Sequence, residues 1–417
     1  MNQADINKTV LDNGVRILSA RMRERRAVSL GVWVETGARD ESPAESGFAH
    51  FIEHMVFKGT PKRSAVEIAR EFDALGGQAN AFTSMEHTCY HAKTLDEKLP
   101  QLADVLFDMV LNASFDAAEI RRERPVVLQE VGMVEDDPED YLHQLANQAF
   151  WQGTSLANSI LGSRSAIRKF NREAITSYFC RRYTGNRIIV AAAGNVEHSR
   201  LVELAAPYFA GLPIGGDVSV RAISGSTPHH KIITRDTEQA NIYLSLPGES
   251  ITSENRFALN LLNMVLGSNM SSRLYQEIRE KHGLAYSVYS FLSSFCDTGM
   301  LSICLGVAPR DMLKALALIG AELEKLRVYG ITEAERENAL SFMRSDMYLA
   351  AESCDSQMSR LAQTETSFGR YVPLEETLAA YMGVSNAEIL ALARTHLASS
   401  FMGTAVLGPV HKNGRPL

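Results

Sequence analysis

The order of strand-like and helix-like segments in this chain of 417 residues runs through twice, and that repetition limits the fold more than any other feature. The first pass opens with β-branched and apolar runs at 9–11, 15–19 and 28–35, with Asn13-Gly14 as a turn between the first two. Apolar periodicity predicts helices over 48–57 and 65–75, the second stopping at Gly76-Gly77. Short strands are expected at 79–84 and 88–94, then long helices over 95–112 and 117–134. Pro125 lies inside the last of these and predicts a kink or a start there. Helices at 139–150 and 172–182, a buried strand at 186–193 and a helix at 199–210 complete the pass. The stretch 211–227 is rich in Gly, Pro and Ser and reads as a linker.

The same order then recurs. Strands are expected at 231–234 and 240–246, helices at 255–265 and 272–281, strands at 285–292 and 299–305. Long helices follow at 311–328 and 332–347, and a late strand at 403–407. His54-Met55-Val56-Phe57 lies over Asn263-Met264-Val265-Leu266, and 68–82 over 277–288, with Gly77 and Gly283 in matching places. The length exceeds what one ordinary core organises. The chain therefore reads as α+β, a tandem duplication of a mixed β-sheet domain with helices packed on it. The expected division is 1–212, a linker at 213–228, and 229–417.

Only the first half carries His50-Phe51-Ile52-Glu53-His54. Residues four apart on a helix share a face, so His50 and His54 can converge on one ion, with Glu53 beside them to take a proton from water. A catalytic zinc needs a third protein ligand and an open position. Glu130 is the leading candidate. Glu123, two helical turns earlier on the same face, could orient a ligand histidine. On spacing alone the histidine pair fits a structural role as well as a site; Glu53, Glu130 and the duplication favour the site. His87 and His91 are also four apart, but in a strand-like run where that spacing separates them widely.

With these motifs the chain resembles the inverzincin metallopeptidases of the pitrilysin and insulinase superfamily, most of all the mitochondrial-processing-peptidase type and its bacterial relatives. The resemblance spans nearly the whole chain. It implies His50, His54 and Glu130 as metal ligands, Glu53 as general base and Glu123 as a supporting acid. It also implies that Asn80, Ala81, Phe82 and Thr83 form an edge strand receiving substrate, and that Arg279 and Tyr286 reach the substrate from the second half. From the residues themselves, 80–83 fits a plain buried strand equally well. Glu123 could be a surface carboxylate, Arg279 a solvated charge and Tyr286 a core aromatic. The resemblance further implies two halves closing as a clamshell around a chamber, with extended peptides as substrates. Both the ligand set and the Arg–Tyr pair stand in one polypeptide, which points to a homodimer of self-sufficient subunits. The processing branch places acids after the third ligand to read a substrate arginine; Asp140 fits, but Gln144 replaces the second. The rival reading is a non-catalytic peptide-binding or assembly subunit of the same fold.

Composition narrows the field. A formal charge of −7 argues against general nucleic-acid binding. The basic run Arg21, Arg23, Arg25 and Arg26 reads as a solvated turn. No apolar run is long enough to span a membrane, and the opening residues lack a secretory pattern. Cys89, Cys180, Cys296, Cys304 and Cys354 are odd in number and scattered, which fits free thiols in the cytoplasm.

Overall fold

A computed structural model describes residues 5–216, 221 and 225–411, leaving aside the Gln78 side chain. Parts of the expected linker (217–220 and 222–224) lie outside the described residues. In chain order the first elements are β1 (Asp5–Val10), β2 (Arg16–Arg21), β3 (Ala27–Val34), α1 (Phe48–Val56), α2 (Ala65–Leu75), β4 (Gln78–Thr83), β5 (Thr88–Leu95) and α3 (Leu99–Leu111). Then come α4 (Ala117–Asp136), α5 (Pro138–Phe150), α6 (Arg164–Ile167), α7 (Arg172–Arg182), β6 (Ile188–Gly194) and α8 (His198–Phe209). The later part holds β7 (His230–Thr234), β8 (Ala240–Gly248), α9 (Arg256–Asn263), β9 (Ala285–Ser294), β10 (Gly299–Val307), α10 (Met312–Tyr329) and α11 (Glu333–Ala351). It ends with α12 (Cys354–Phe368), α13 (Leu374–Gly383), α14 (Asn386–His396) and β11 (Gly403–Gly408).

Two mixed sheets carry the fold. The first has six strands in the order β1-β2-β6-β3-β5-β4, with β2 and β6 parallel and every other pair antiparallel. The second has five, β7-β11-β8-β10-β9, with β7 and β11 parallel. β3 reads as a continuous apolar run because both its faces are covered. Val28, Leu30, Val32 and Val34 join the main core with α1, α2, α3 and α8, while Trp33 packs under α12 on the other face.

The chain divides into two compact units; one boundary falls within the expected linker, and each unit also takes a segment from the opposite half of the chain. The first unit comprises Met1–Val131, Asn158–Val220 and Tyr348–Val372, and the second comprises Gly132–Ala157, Arg221–Met347 and Pro373–Leu417. The physical reason is in two amphipathic helices. Met358, Leu361 and Ala362 of α12 cover Trp33, Ile189 and Ala191 of the first sheet. In the second unit α5 packs on β8 and β11, with His143 stacked 5.3 Å from Tyr243.

Other expectations are corrected. Helix α4 runs unbroken past Pro125 and starts at Ala117, so the proline removes one backbone hydrogen bond without ending the helix. The glycine that shares the left-handed conformation of Gly283 (φ 61°) is Gly76 (φ 64°), not Gly77. The helical segment over 272–281 is π-helical from Tyr275 to Lys281. The basic run after β2 is not merely solvated: Arg21 pairs with Glu197, Arg25 with Glu352 and Arg26 with Asp96. Among the described residues no helix is long and apolar enough to cross a membrane.

Candidate metal centre

The centre is built on α1, and two features fix where that helix begins. Gly47 precedes it at φ 95°, and a Cβ there would stand 2.9 Å from Gly162 Cα and from Leu161 O. Glu41, buried, accepts from Gly47 N at 2.6 Å and Ala49 N at 2.7 Å, satisfying amides the helix cannot pair itself. The apolar face then sets the roll of the helix. Phe48 and Phe51 pack on Phe170 with ring centroids 4.5 and 5.2 Å apart, and Ile52, Met55 and Val56 are buried. His50, Glu53 and His54 are left on the remaining side.

Helix α4 brings Glu130 to them. His50 Nε2 lies 3.5 Å from Glu130 Oε1, and His54 Nε2 lies 3.4 Å from Glu130 Oε2. One ligand atom from each of the three residues falls within 4.8 Å of the others. The Nε2–oxygen spacings are long for hydrogen bonds, whose usual N···O distance is about 2.9 Å. They match the separation of tetrahedral ligands held about 2.1 Å from a common ion, about 3.4 Å. Two imidazoles and one carboxylate are also a known donor set of catalytic zinc. The two imidazoles hold the Glu130 carboxyl well below the usual carboxylate range, so it is ionised as a ligand must be.

Glu123 stands beside His54 on the side away from Glu130 Oε2's contact with Nε2. Its side chain is only 7% exposed, so it is no surface carboxylate. His54 Nδ1 lies 2.9 Å from Glu123 Oε1, and because a carboxylate can only accept, the proton sits on Nδ1 and the Nε2 lone pair is left for an ion. Lys58 Nζ stands 2.6 Å from Glu123 Oε2 and balances the buried charge. Burial works to lower the His54 pKa, but the carboxylates of Glu130 and Glu123 beside it outweigh this and raise the imidazole above its ordinary value.

β4 is the outer strand of the first sheet, pairing with β5. Asn80 is exposed and Phe82 is 41% exposed, which rules out a plain buried strand. Thr83 Oγ1 donates to Glu53 Oε2 at 2.5 Å, tying the edge strand to the expected base. His91 sits within β5 as anticipated.

Arg279 and Tyr286 meet each other in the second unit. Arg279 Nη1 donates to Tyr286 O at 2.8 Å, and its guanidinium lies 4.7 Å from the Tyr286 ring centroid and 4.9 Å from that of Tyr275. Tyr286 is 81% exposed, so it is not a core aromatic. Sequence reasoning missed Lys58, Glu41 and the Thr83–Glu53 bond. Lys58 had a signal, being four residues beyond His54; the other two had none.

The model of the insulinase peptidases, family M16, matches residues 16–164, and that of the peptidase M16 inactive domain matches 169–343. A protein of Mycobacterium tuberculosis named an uncharacterized zinc protease is 40% identical, over 98% of this chain and 94% of its own length. The Bacillus subtilis protein YmxG, also named an uncharacterized zinc protease, is 39% identical over 93% of this chain and 95% of its own. The crystal structure of a Helicobacter pylori protease superposes with a TM-score of 0.90 at 22% identity, covering 98% of this chain and 100% of that one. A peptidase M16 inactive domain from Pseudomonas fluorescens gives 0.92 at 19% identity, covering 99% and 100%. These two likenesses establish the fold.

Proposed function

Since this chain belongs to the insulinase family of peptidases, family M16, we propose that it is a zinc-dependent endopeptidase that cuts unfolded peptides or presequence-like extensions. The observation that carries the reading is the meeting of His50, His54 and Glu130 at ligand spacing, with Glu53 on the same turn of α1. Those three residues would hold the ion. The chemistry zinc supplies at such a site is Lewis acidity, which polarises a carbonyl and brings the pKa of bound water to about 7.

The chain's own residues do the rest. Glu53 takes the proton of the attacking water and delivers it to the leaving amine. Thr83 Oγ1 holds one oxygen of Glu53, leaving the other for that proton. Glu123 keeps His54 in the tautomer with a free Nε2. The outer edge of β4 offers backbone N–H and C=O groups to an extended peptide, giving affinity with little sequence demand. Arg279 and Tyr286 steady the substrate backbone and the oxyanion. Gln144 in place of an acid favours general oligopeptide hydrolysis over cleavage directed by a substrate arginine. The rival reading, a non-catalytic subunit, would fit a broken ligand set better than the complete one present here.

Mass spectrometry of cuts in a mixed peptide library tests the proposal. The zinc-loaded wild type should cleave, and Glu53→Gln should bind zinc yet lose at least about 100-fold in rate. Equal cleavage by both would remove Glu53 from the reaction; no cleavage by the zinc-loaded wild type would favour the non-catalytic reading. We further infer a homodimer in the cytoplasm, the latter supported by five free cysteines. Light scattering should give twice the 46.0 kDa chain mass, and a monomer mass would end that inference.

A further inference from the structure

The two imidazoles of the centre are held in different ways. His54 has a side-chain partner, Glu123, on its Nδ1. His50 is buried, with Nε2 toward Glu130, and its Nδ1 has no hydrogen-bond partner among the described residues. On the side away from Glu130, then, no polar group steers the His50 ring. Its place is inherited from the backbone of the first turn of α1 and from the packing around it.

That turn hangs on one carboxyl. Phe51 N bonds to Gly47 O at 2.9 Å and begins the helix ladder. Gly47 N and Ala49 N, which precede it, go to separate oxygens of Glu41, Oε2 and Oε1. A carboxylate can accept on both oxygens, whereas a protonated carboxyl keeps one good acceptor and a hydroxyl. Glu41 is itself fixed, since Asn158 Nδ2 donates to its carbonyl at 3.2 Å and to that of Ala38 at 2.8 Å. The loop has little room to shift: a Cβ on Gly162 would stand 2.5 Å from Gly47 Cα. Through Ala49 the position of Glu41 is passed to the next residue, His50.

The charges around Glu41 do not neutralise it. Asp40 and Glu45 share its loop, and Tyr178 of α7 lies within reach of its field. The cations nearby are engaged elsewhere: Arg181 pairs with Glu45, Arg39 with Glu86, and Arg182 donates to Asp40 O and lies over the Tyr178 ring. Burial, helped by Asp40 and Glu45, outweighs the two amides and pushes the Glu41 carboxyl up to about 8. The form that suits both amides is thus the one that burial disfavours.

We propose that Glu41 is the positioning residue of His50, its carboxylate clamping the first turn of α1 so that the imidazole meets an ion beside Glu130. The inference rests on the reading of this centre as a metal site. It gives the two ligand histidines separate supports, Glu123 acting on the ring of His54 and Glu41 on the backbone beneath His50.

The test compares the zinc affinity of wild type and Glu41→Gln by chelator competition between about pH 7 and about pH 9. Gln offers one acceptor oxygen and an amino group, so one of the two amides stays unmet at every pH. Protonation of His50 and His54 weakens both proteins alike and cancels in their ratio. Wild type should bind zinc more tightly, and its advantage should grow at least about threefold across that range as Glu41 ionises. An advantage independent of pH, or none, in a wild type that binds zinc overturns the proposal. A wild type that binds no zinc at any pH removes the metal centre itself, and the proposal with it. A second measurement needs no variant and decides the matter if Glu41→Gln does not fold. In metal-free wild type carrying nitrogen-labelled glycine and alanine, the amide signals of Gly47 and Ala49 should shift together with a midpoint near pH 8. The absence of that shared shift overturns the clamp.

Discussion

At the scale of single residues, the site depends on how a second layer of groups prepares the first. Glu123 accepts a hydrogen bond from His54 Nδ1, which leaves Nε2 available to an ion, and Lys58 pairs with the buried Glu123 side chain. Glu123→Gln should therefore weaken zinc binding by about 10- to 100-fold in a chelator competition, while Glu53→Gln should leave it nearly unchanged. Equal affinity in Glu123→Gln would show that packing alone orients His54. The meeting of the candidate ligands was legible in the sequence because helical spacing is a strict geometric rule: His50 and His54 are four apart, Glu123 and Glu130 two turns apart. Glu41 and the Thr83 bond to Glu53 were not, since they join segments whose meeting depends on the packed fold.

At the scale of elements, the turn after α1 is held by a charged cluster. Arg63 bonds Glu71 through Nε at 2.9 Å and Asp108 through Nη1 at 2.7 Å, and also reaches Asp104, which Lys62 and Tyr208 bond as well. Tyr208 belongs to α8, so the cluster ties the α1–α2 connection to α2, α3 and α8. Burial pushes the Asp104 carboxyl up, but its bonds to Tyr208, Lys62 and Arg63 outweigh this and hold it at about 2, below its ordinary 3.8. A depressed folded pKa gives stability that is full above the unfolded value and lost as pH falls through the folded one. The stability gap between wild type and Asp104→Asn, measured by urea denaturation, should be constant above about pH 5 and shrink from about pH 4 to 2. A gap independent of pH would mean that Asp104 acts through shape. Element positions were mostly legible where periodicity was strong: α2 was anticipated residue for residue. α12 to α14 escaped because their apolar stripes are narrow; on α12, Met358, Leu361 and Ala362 make up most of the stripe in an otherwise polar run.

At the scale of the whole molecule, the duplication sets His50, His54 and Glu130 in one half and leaves the other free to diverge. Its two copies share a parallel strand pair, the exit turn after it and the helix that precedes the long helical run. What the repeat concealed is that each unit takes a helix from the opposite half of the chain, α5 in one case and α12 in the other. Linear reading assigns each segment to its neighbours, whereas burial assigns it to whichever sheet face its apolar stripe fits. The proposed activity requires three side chains from α1 and α4 to close around one divalent ion. Metal analysis of purified protein after zinc loading and desalting tests this directly. Wild type should retain one zinc per chain, and Glu130→Ala should retain almost none while keeping the wild-type circular dichroism spectrum. Full zinc retention by a folded Glu130→Ala variant would contradict the account.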